Sequence, residues 1–172
     1  MKLIVLLLLP LLALSQSKNN TDIFDAVRQG NLNQVKQYIE VNRKVVDTLN
    51  SHNHSLLIIA AYYNQQSIVE YILPYVTNLN HNSDNGTALA AAVVKNNVEI
   101  IKVLLNHMAD ANLTDANGVS PLMYAIMFKN IPVIKLLIEY GADLKLVDKT
   151  GKSTFEYAIA SGDQKIINLL KN

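Results

Sequence analysis

A chain of 172 residues, half of them hydrophobic and 17% charged, is globular rather than disordered and long enough to bury a sizeable core. Its formal net charge of +1, with no clustered basic run, argues against nucleic acid as a partner. Cysteine is absent, so the fold must hold by packing alone, without disulfides and without a thiol nucleophile.

The first element is Lys2 followed by an apolar run over residues 3–14 and then "ALSQS". The run falls short of the roughly 20 apolar residues that a membrane span needs. With small residues at Ala13 and Ser15, the pattern predicts an export signal over residues 1–15, cut after Ser15, and a short lead over residues 16–21. An uncleaved N-terminal anchor is the alternative. Removing the segment takes away Lys2 and no acid, which leaves acidic and basic residues in balance.

From Asp22 onward the sequence repeats itself. Ala26, Val35 and Ile39 return 34 positions later as Ala60, Val69 and Leu73. Leu57, Ala60, Ile68, Val69 and Ile72 return after 32 as Leu89, Ala92, Ile100, Ile101 and Leu104. These return after 33 as Leu122, Ala125, Val133, Ile134 and Leu137, and after another 33 as Phe155, Ala158, Ile166, Ile167 and Leu170. The single missing residue falls in the shortened turn of residues 84–86. A period in the thirties predicts stacked helical hairpins, here five, over approximately 22–50, 51–82, 83–114, 115–147 and 148–172. Within each copy the pattern gives a first helix, a tight turn, a second helix and an extended connector. Ser120 and Pro121 form an N-cap followed by proline at the first helical position. Gly30, Asn64, Asn96 and Gly162 suit a left-handed turn between the helices, whereas Lys129 at that site predicts a rearranged turn. Pro132 opens a second helix and Gly141 stops it.

"GVSPLMYA" and "IEYGAD", with "GTALAAA" and "HMADAN" one copy earlier, resemble the ankyrin repeat. The resemblance implies an all-α ankyrin-repeat solenoid with β-turn fingers over residues 22–172. The family's histidine after leucine is absent: Ile58, Ala90, Met123 and Glu156 occupy that site. Val76 and Met108 replace the helix-stopping glycine, which predicts less regular connectors there, with Pro74 ending its helix early.

Catalytic constellations are missing from the sequence. No Gly-rich phosphate loop and no Gly-x-Ser-x-Gly elbow occurs, and Asp115 and Asp148 recur at the repeat period as turn formers. The expectation is therefore a chain that is not an enzyme and takes no cofactor. His52 and His54 in one finger and His81 in the next connector are candidate metal ligands, with solvated loop residues the plainer alternative. His107 falls at a helix end, where a cation favours the dipole. Asn19, Asn53, Asn85 and Asn112 open Asn-x-Ser/Thr triplets, which are glycan acceptors only in a eukaryotic secretory route.

The resemblance also implies a protein partner, bound by the fingers and the exposed ends of the first helices. Carried over by position, the concave ladder is Arg28 and Gln29, Tyr62 and Tyr63, Val94 and Lys95, Met127 and Phe128, then Ala160 and Ser161. The finger contacts are His52, His54, Asn85, Asn117, Val119, Lys149 and Lys152. Tyrosine and methionine suit a contact surface, whereas burial between helices is the alternative for any one of them. An export signal ahead of such a stack is similar to small periplasmic ankyrin proteins of bacteria. That likeness implies a monomer that protects, assembles or inhibits a partner such as an envelope enzyme, in the periplasm first and outside the cell second.

Overall fold

A computed structural model describes residues 22–171. The export signal and lead expected over residues 1–21 lie outside the described residues. Among those described are ten α-helices in five consecutive pairs: α1 (Ile23–Arg28) and α2 (Leu32–Val41), α3 (Leu56–Tyr62) and α4 (Gln66–Ile72), α5 (Ala88–Val94) and α6 (Val98–Asn106), α7 (Pro121–Met127) and α8 (Ile131–Glu139), α9 (Thr154–Ser161) and α10 (Gln164–Leu169). No helix among them is long and apolar enough to cross a membrane.

Each first helix starts where a short polar side chain takes up an orphan backbone N–H. Asp22, Ser55, Thr87, Ser120 and Ser153 are the N-caps, and each side chain accepts from the third residue on. Asn31, Asn97 and Asn130 cap three of the second helices in the same way, and Asp163 caps a fourth by accepting from Lys165, two residues on. Gln65 makes no such cap bond. Its amide instead donates to the Arg28 carbonyl at 3.1 Å, tying the second repeat to the first.

Between the helices of every pair one residue adopts left-handed backbone: Gly30, Asn64, Asn96, Lys129 and Gly162, with φ between 54° and 72°. The rearranged turn expected at Lys129 does not occur. Lys129 accepts the conformation itself, because the packed helices on either side leave the chain no other route, and Asn130 remains free to cap α8. Of the two connectors expected to be irregular, only one is. After Ile72 the chain tightens into a 3-10 turn, Leu73–Tyr75, built around Pro74, and Val76 is extended. Met108 instead copies Gly141, with φ of 66° against 82°.

The five first helices stack in a row, α1 on α3, α3 on α5, α5 on α7 and α7 on α9. Ala26, Ala60, Ala92, Ala125 and Ala158 are wholly buried along this row, one per repeat. Leu57, Leu89 and Leu122 join Ile68, Ile100, Val133 and Ile166 in one continuous core. Hydrogen-bond ladders then join the repeats, through side-chain oxygens along the connectors and through backbone on the fingers. Asp47, Asn80 and Asn112 each accept the N–H of the following connector, from Thr77, Asp110 and Asp143 at 2.9, 2.9 and 2.7 Å. On the fingers, the Ala116 N–H donates to the Asp84 carbonyl and the Lys149 N–H to the Asn117 carbonyl, both at 2.9 Å. The second contact requires Gly118, since a Cβ there would stand 2.9 Å from the Lys149 nitrogen.

Leu104 and Leu137 are fully buried between repeats. Replacing either with alanine is expected to cost about 2–5 kcal/mol in urea unfolding. Met108 is left-handed and 86% exposed, so Met108→Gly relieves backbone strain at little packing cost. That variant should be more stable by about 1 kcal/mol; a lower melting temperature would contradict the strain.

Candidate functional site

The fingers owe their shape to one acceptor at the same place in successive repeats. Asn50 Oδ1 accepts the N–H groups of His52 and His54 at 2.9 and 3.0 Å. Asp115 Oδ1 accepts those of Asn117 and Val119, and Asp148 Oδ1 those of Thr150 and Lys152. In the shortened third finger Ser83 takes over, its hydroxyl donating to the Gly86 carbonyl at 2.9 Å. Residues 115–126, "DANGVSPLMYAI", and 148–159, "DKTGKSTFEYAI", share Asp, Gly, Ser, Tyr and Ala at one spacing, and the likeness has a physical cause. The free oxygen of each aspartate accepts a tyrosine hydroxyl from the helix that follows, Tyr124 to Asp115 at 2.7 Å and Tyr157 to Asp148 at 2.6 Å. Finger and first helix are clasped together.

The clasp shows in the acidities. Burial first, then the bond to its aspartate, pushes the Tyr124 and Tyr157 phenols up to about 12. Hydrogen bonds from Thr150 and then Tyr157 hold the Asp148 carboxyl well below the usual carboxylate range.

The ladder expected at the ends of the first helices is on the surface. Tyr62 and Tyr63 are 44% and 45% exposed, Met127 and Phe128 51% and 54%, so none of the four completes the core. Val94 is half-buried. Arg28 is half-buried and paired with Asp25, while Gln29, Lys95 and Ala160 are exposed. The Ser161 hydroxyl donates to the Ala158 carbonyl at 2.6 Å and turns back on its own helix. Neighbouring rings organise the surface. Tyr62 and Tyr63 meet edge to face at 5.4 Å, the Lys95 ammonium sits 4.7 Å above the Tyr62 ring, and Tyr124 stacks on Phe128 at 6.5 Å.

A groove of about 520 Å³ opens between fingers and first helices. It gathers Arg28, His52, His54, Tyr62, Tyr63, Asn85 and Val94 from the expected set. Asn50, Ile58, Ile59, Ala91 and Tyr124 also line it, and sequence reasoning passed over them. The signal available for Ala91 was its alignment with Tyr124, 33 residues on, which marks a large side chain missing from a repeating place. Gln29, Lys95, Met127, Phe128, Ala160, Ser161, Asn117, Val119, Lys149 and Lys152 do not line the groove. Lys149 and Asn117 are instead neighbours in the finger ladder, and the Lys152 ammonium lies 4.1 Å above the Tyr157 ring.

The three histidines do not converge as a ligand set. His52 and His54 stack with ring centroids 6.1 Å apart, but the His81 ring nitrogen donates to the Asn53 carbonyl at 2.8 Å. Among the described residues no three His, Cys, Asp or Glu side chains are placed to hold a metal ion. His107 caps α6, its ring nitrogen bonded to the Val103 carbonyl at 2.8 Å.

A family model described as ankyrin repeats (3 copies) matches residues 23–115 and 107–172. The chain belongs to the ankyrin-repeat family. Among similar proteins is the rat "Ankyrin repeat and SAM domain-containing protein 6", 33% identical over 105 residues, with the mouse protein of that name 31% identical over the same length. The bovine "Inactive serine/threonine-protein kinase TEX14" is 30% identical over 105 residues. Each match covers 60% of this chain, but only 12%, 12% and 7% of those proteins. Ankyrin repeats make this chain a protein-interaction module.

The tyrosine clasps set a pH dependence. A phenol whose folded pKa lies above its unfolded value of about 10 stabilises the fold below pH 10, and that contribution is lost as pH rises towards about 12. Thermal melts between pH 8 and 12 should fall across that window. In a Tyr124→Phe/Tyr157→Phe variant the fall should be shallower; an equal fall would remove the clasps as its cause.

Proposed function

We propose that the chain is an exported, non-catalytic adaptor that binds one protein as a monomer, through the face made by its fingers and first-helix ends. The observation that carries this is the exposure of Tyr62, Tyr63, Met127 and Phe128 at equivalent places in the second and fourth repeats. Large side chains are exposed singly elsewhere, as at Val41 and Met108, but these four stand in adjacent pairs at one place in the repeat, and interfaces draw on such residues. The aspartates that recur at the repeat period are already engaged. Asp115 and Asp148 shape turns and clasp tyrosines, and the groove adds amides, imidazoles and apolar groups. Export to the periplasm, or beyond the cell, is supported by the pattern of residues 1–15, and a partner enzyme of the envelope fits that location. The adaptor would protect, assemble or inhibit that partner.

Pull-down from the host's envelope and secreted fractions tests the proposal. The bait is the chain without residues 1–15, beside a variant with Tyr62, Tyr63, Met127 and Phe128 replaced by alanine. One protein is expected in stoichiometric amount with the first bait and absent with the second. Each single replacement should weaken binding by about 1 kcal/mol or more. A partner retained by the quadruple variant would move the interface elsewhere.

A further inference from the structure

The tyrosine column on the finger side is interrupted once. Tyr157 and Tyr124 each fill the space between a first helix and its own finger, the hydroxyl fixed on Asp148 or Asp115. One repeat earlier that place holds Ala91, and Ser83 stands where the aspartate would be, in a finger one residue shorter. The repeat before has Ile59 there. The third repeat therefore lacks the large side chain its neighbours carry, and the 520 Å³ groove, lined mainly by the second repeat, reaches this place through Asn85, Ala91 and Val94. Ala91 and Val94 come from that repeat, Ile59 and Tyr62 from the one before, and Tyr124 from the one after. The molecule's own tyrosines show what the neighbouring slots accept.

Charge narrows the occupant further. Arg28, His52 and His54 line the groove, and no carboxylate does. Asp25 engages one nitrogen of the Arg28 guanidinium, which leaves other donors of the fork available. Lys95 adds a cation above Tyr62 and makes no ion pair among the described residues.

We propose that this slot receives an aromatic side chain of an extended partner segment in which a carboxylate residue flanks that aromatic. The ring replaces the tyrosine that the third repeat lacks, against Ala91, Val94 and the Tyr124 wall. The adjacent Asp or Glu meets Arg28 and the histidines. This rests on the finger side being the docking face and names the chemistry of what docks there.

The test is a backbone amide NMR titration with three capped tripeptides: Glu-Tyr-Glu, Lys-Tyr-Lys and Glu-Ala-Glu. Saturable shifts are expected at Ala91, Val94, His52 and His54 with Glu-Tyr-Glu. Affinity should be roughly tenfold lower for Lys-Tyr-Lys, with no saturable shift for Glu-Ala-Glu. Ala91→Tyr fills the slot with the residue its neighbours carry and should abolish the shifts. Ala91→Ile, matching Ile59, should weaken binding roughly tenfold and keeps the test open if the tyrosine variant does not fold. Wild-type affinity in either folded variant, or equal binding of Glu-Ala-Glu, would overturn the slot; equal binding of Lys-Tyr-Lys would overturn the carboxylate preference. Capture of a host partner with no tripeptide shift would sink the slot alone and leave the docking face intact. Tripeptide shifts without any captured partner would support the slot and count against the adaptor.

Discussion

Close approach of successive first helices, made possible by one wholly buried alanine per repeat, is the constraint on which the rest of the structure depends. Ala26, Ala60, Ala92, Ala125 and Ala158 bring α1, α3, α5, α7 and α9 near enough for their leucines and isoleucines to interlock. No helix among the described residues exceeds ten residues, and helices so short are marginal alone. Each gains its stability from the repeats stacked against it. The same spacing brings the fingers within hydrogen-bonding reach, so the ladders from Ala116 to Asp84 and from Lys149 to Asn117 follow from it.

Most of this architecture was legible in the sequence because the period of the apolar residues survives every substitution. What escaped was the accommodation of individual residues. Lys129 and Met108 have no intrinsic preference for left-handed backbone, yet the helices anchored on both sides of each impose it. Local composition could not show that, since the force comes from packing many residues away. Pro74 behaved as expected because its effect is local: it cannot donate the N–H that would continue the helix. The aspartate–tyrosine clasps lay in plain view as an echo nine residues wide, but only geometry shows that the two members touch.

The binding surface divides in the same way. Equivalence of position was enough to place Tyr62, Tyr63, Met127 and Phe128 on the outside, because the ends of the first helices face solvent in every repeat. It could not outline the groove, which depends on what is missing at Ala91 and on the shortened third finger. It also suggested a ligand set of three histidines that the structure does not assemble, the His81 ring nitrogen being bonded to the Asn53 carbonyl between the other two.

The central claim is that residues holding the stack and residues offered to a partner are different sets, so that the surface can be changed without unfolding the protein. Urea unfolding of the chain with Tyr62, Tyr63, Met127 and Phe128 all replaced by alanine tests this most directly. A midpoint and slope close to those of the parent are expected, because exposed side chains contribute little each. A loss as large as the one a single core leucine produces would place these residues in the core and contradict the account.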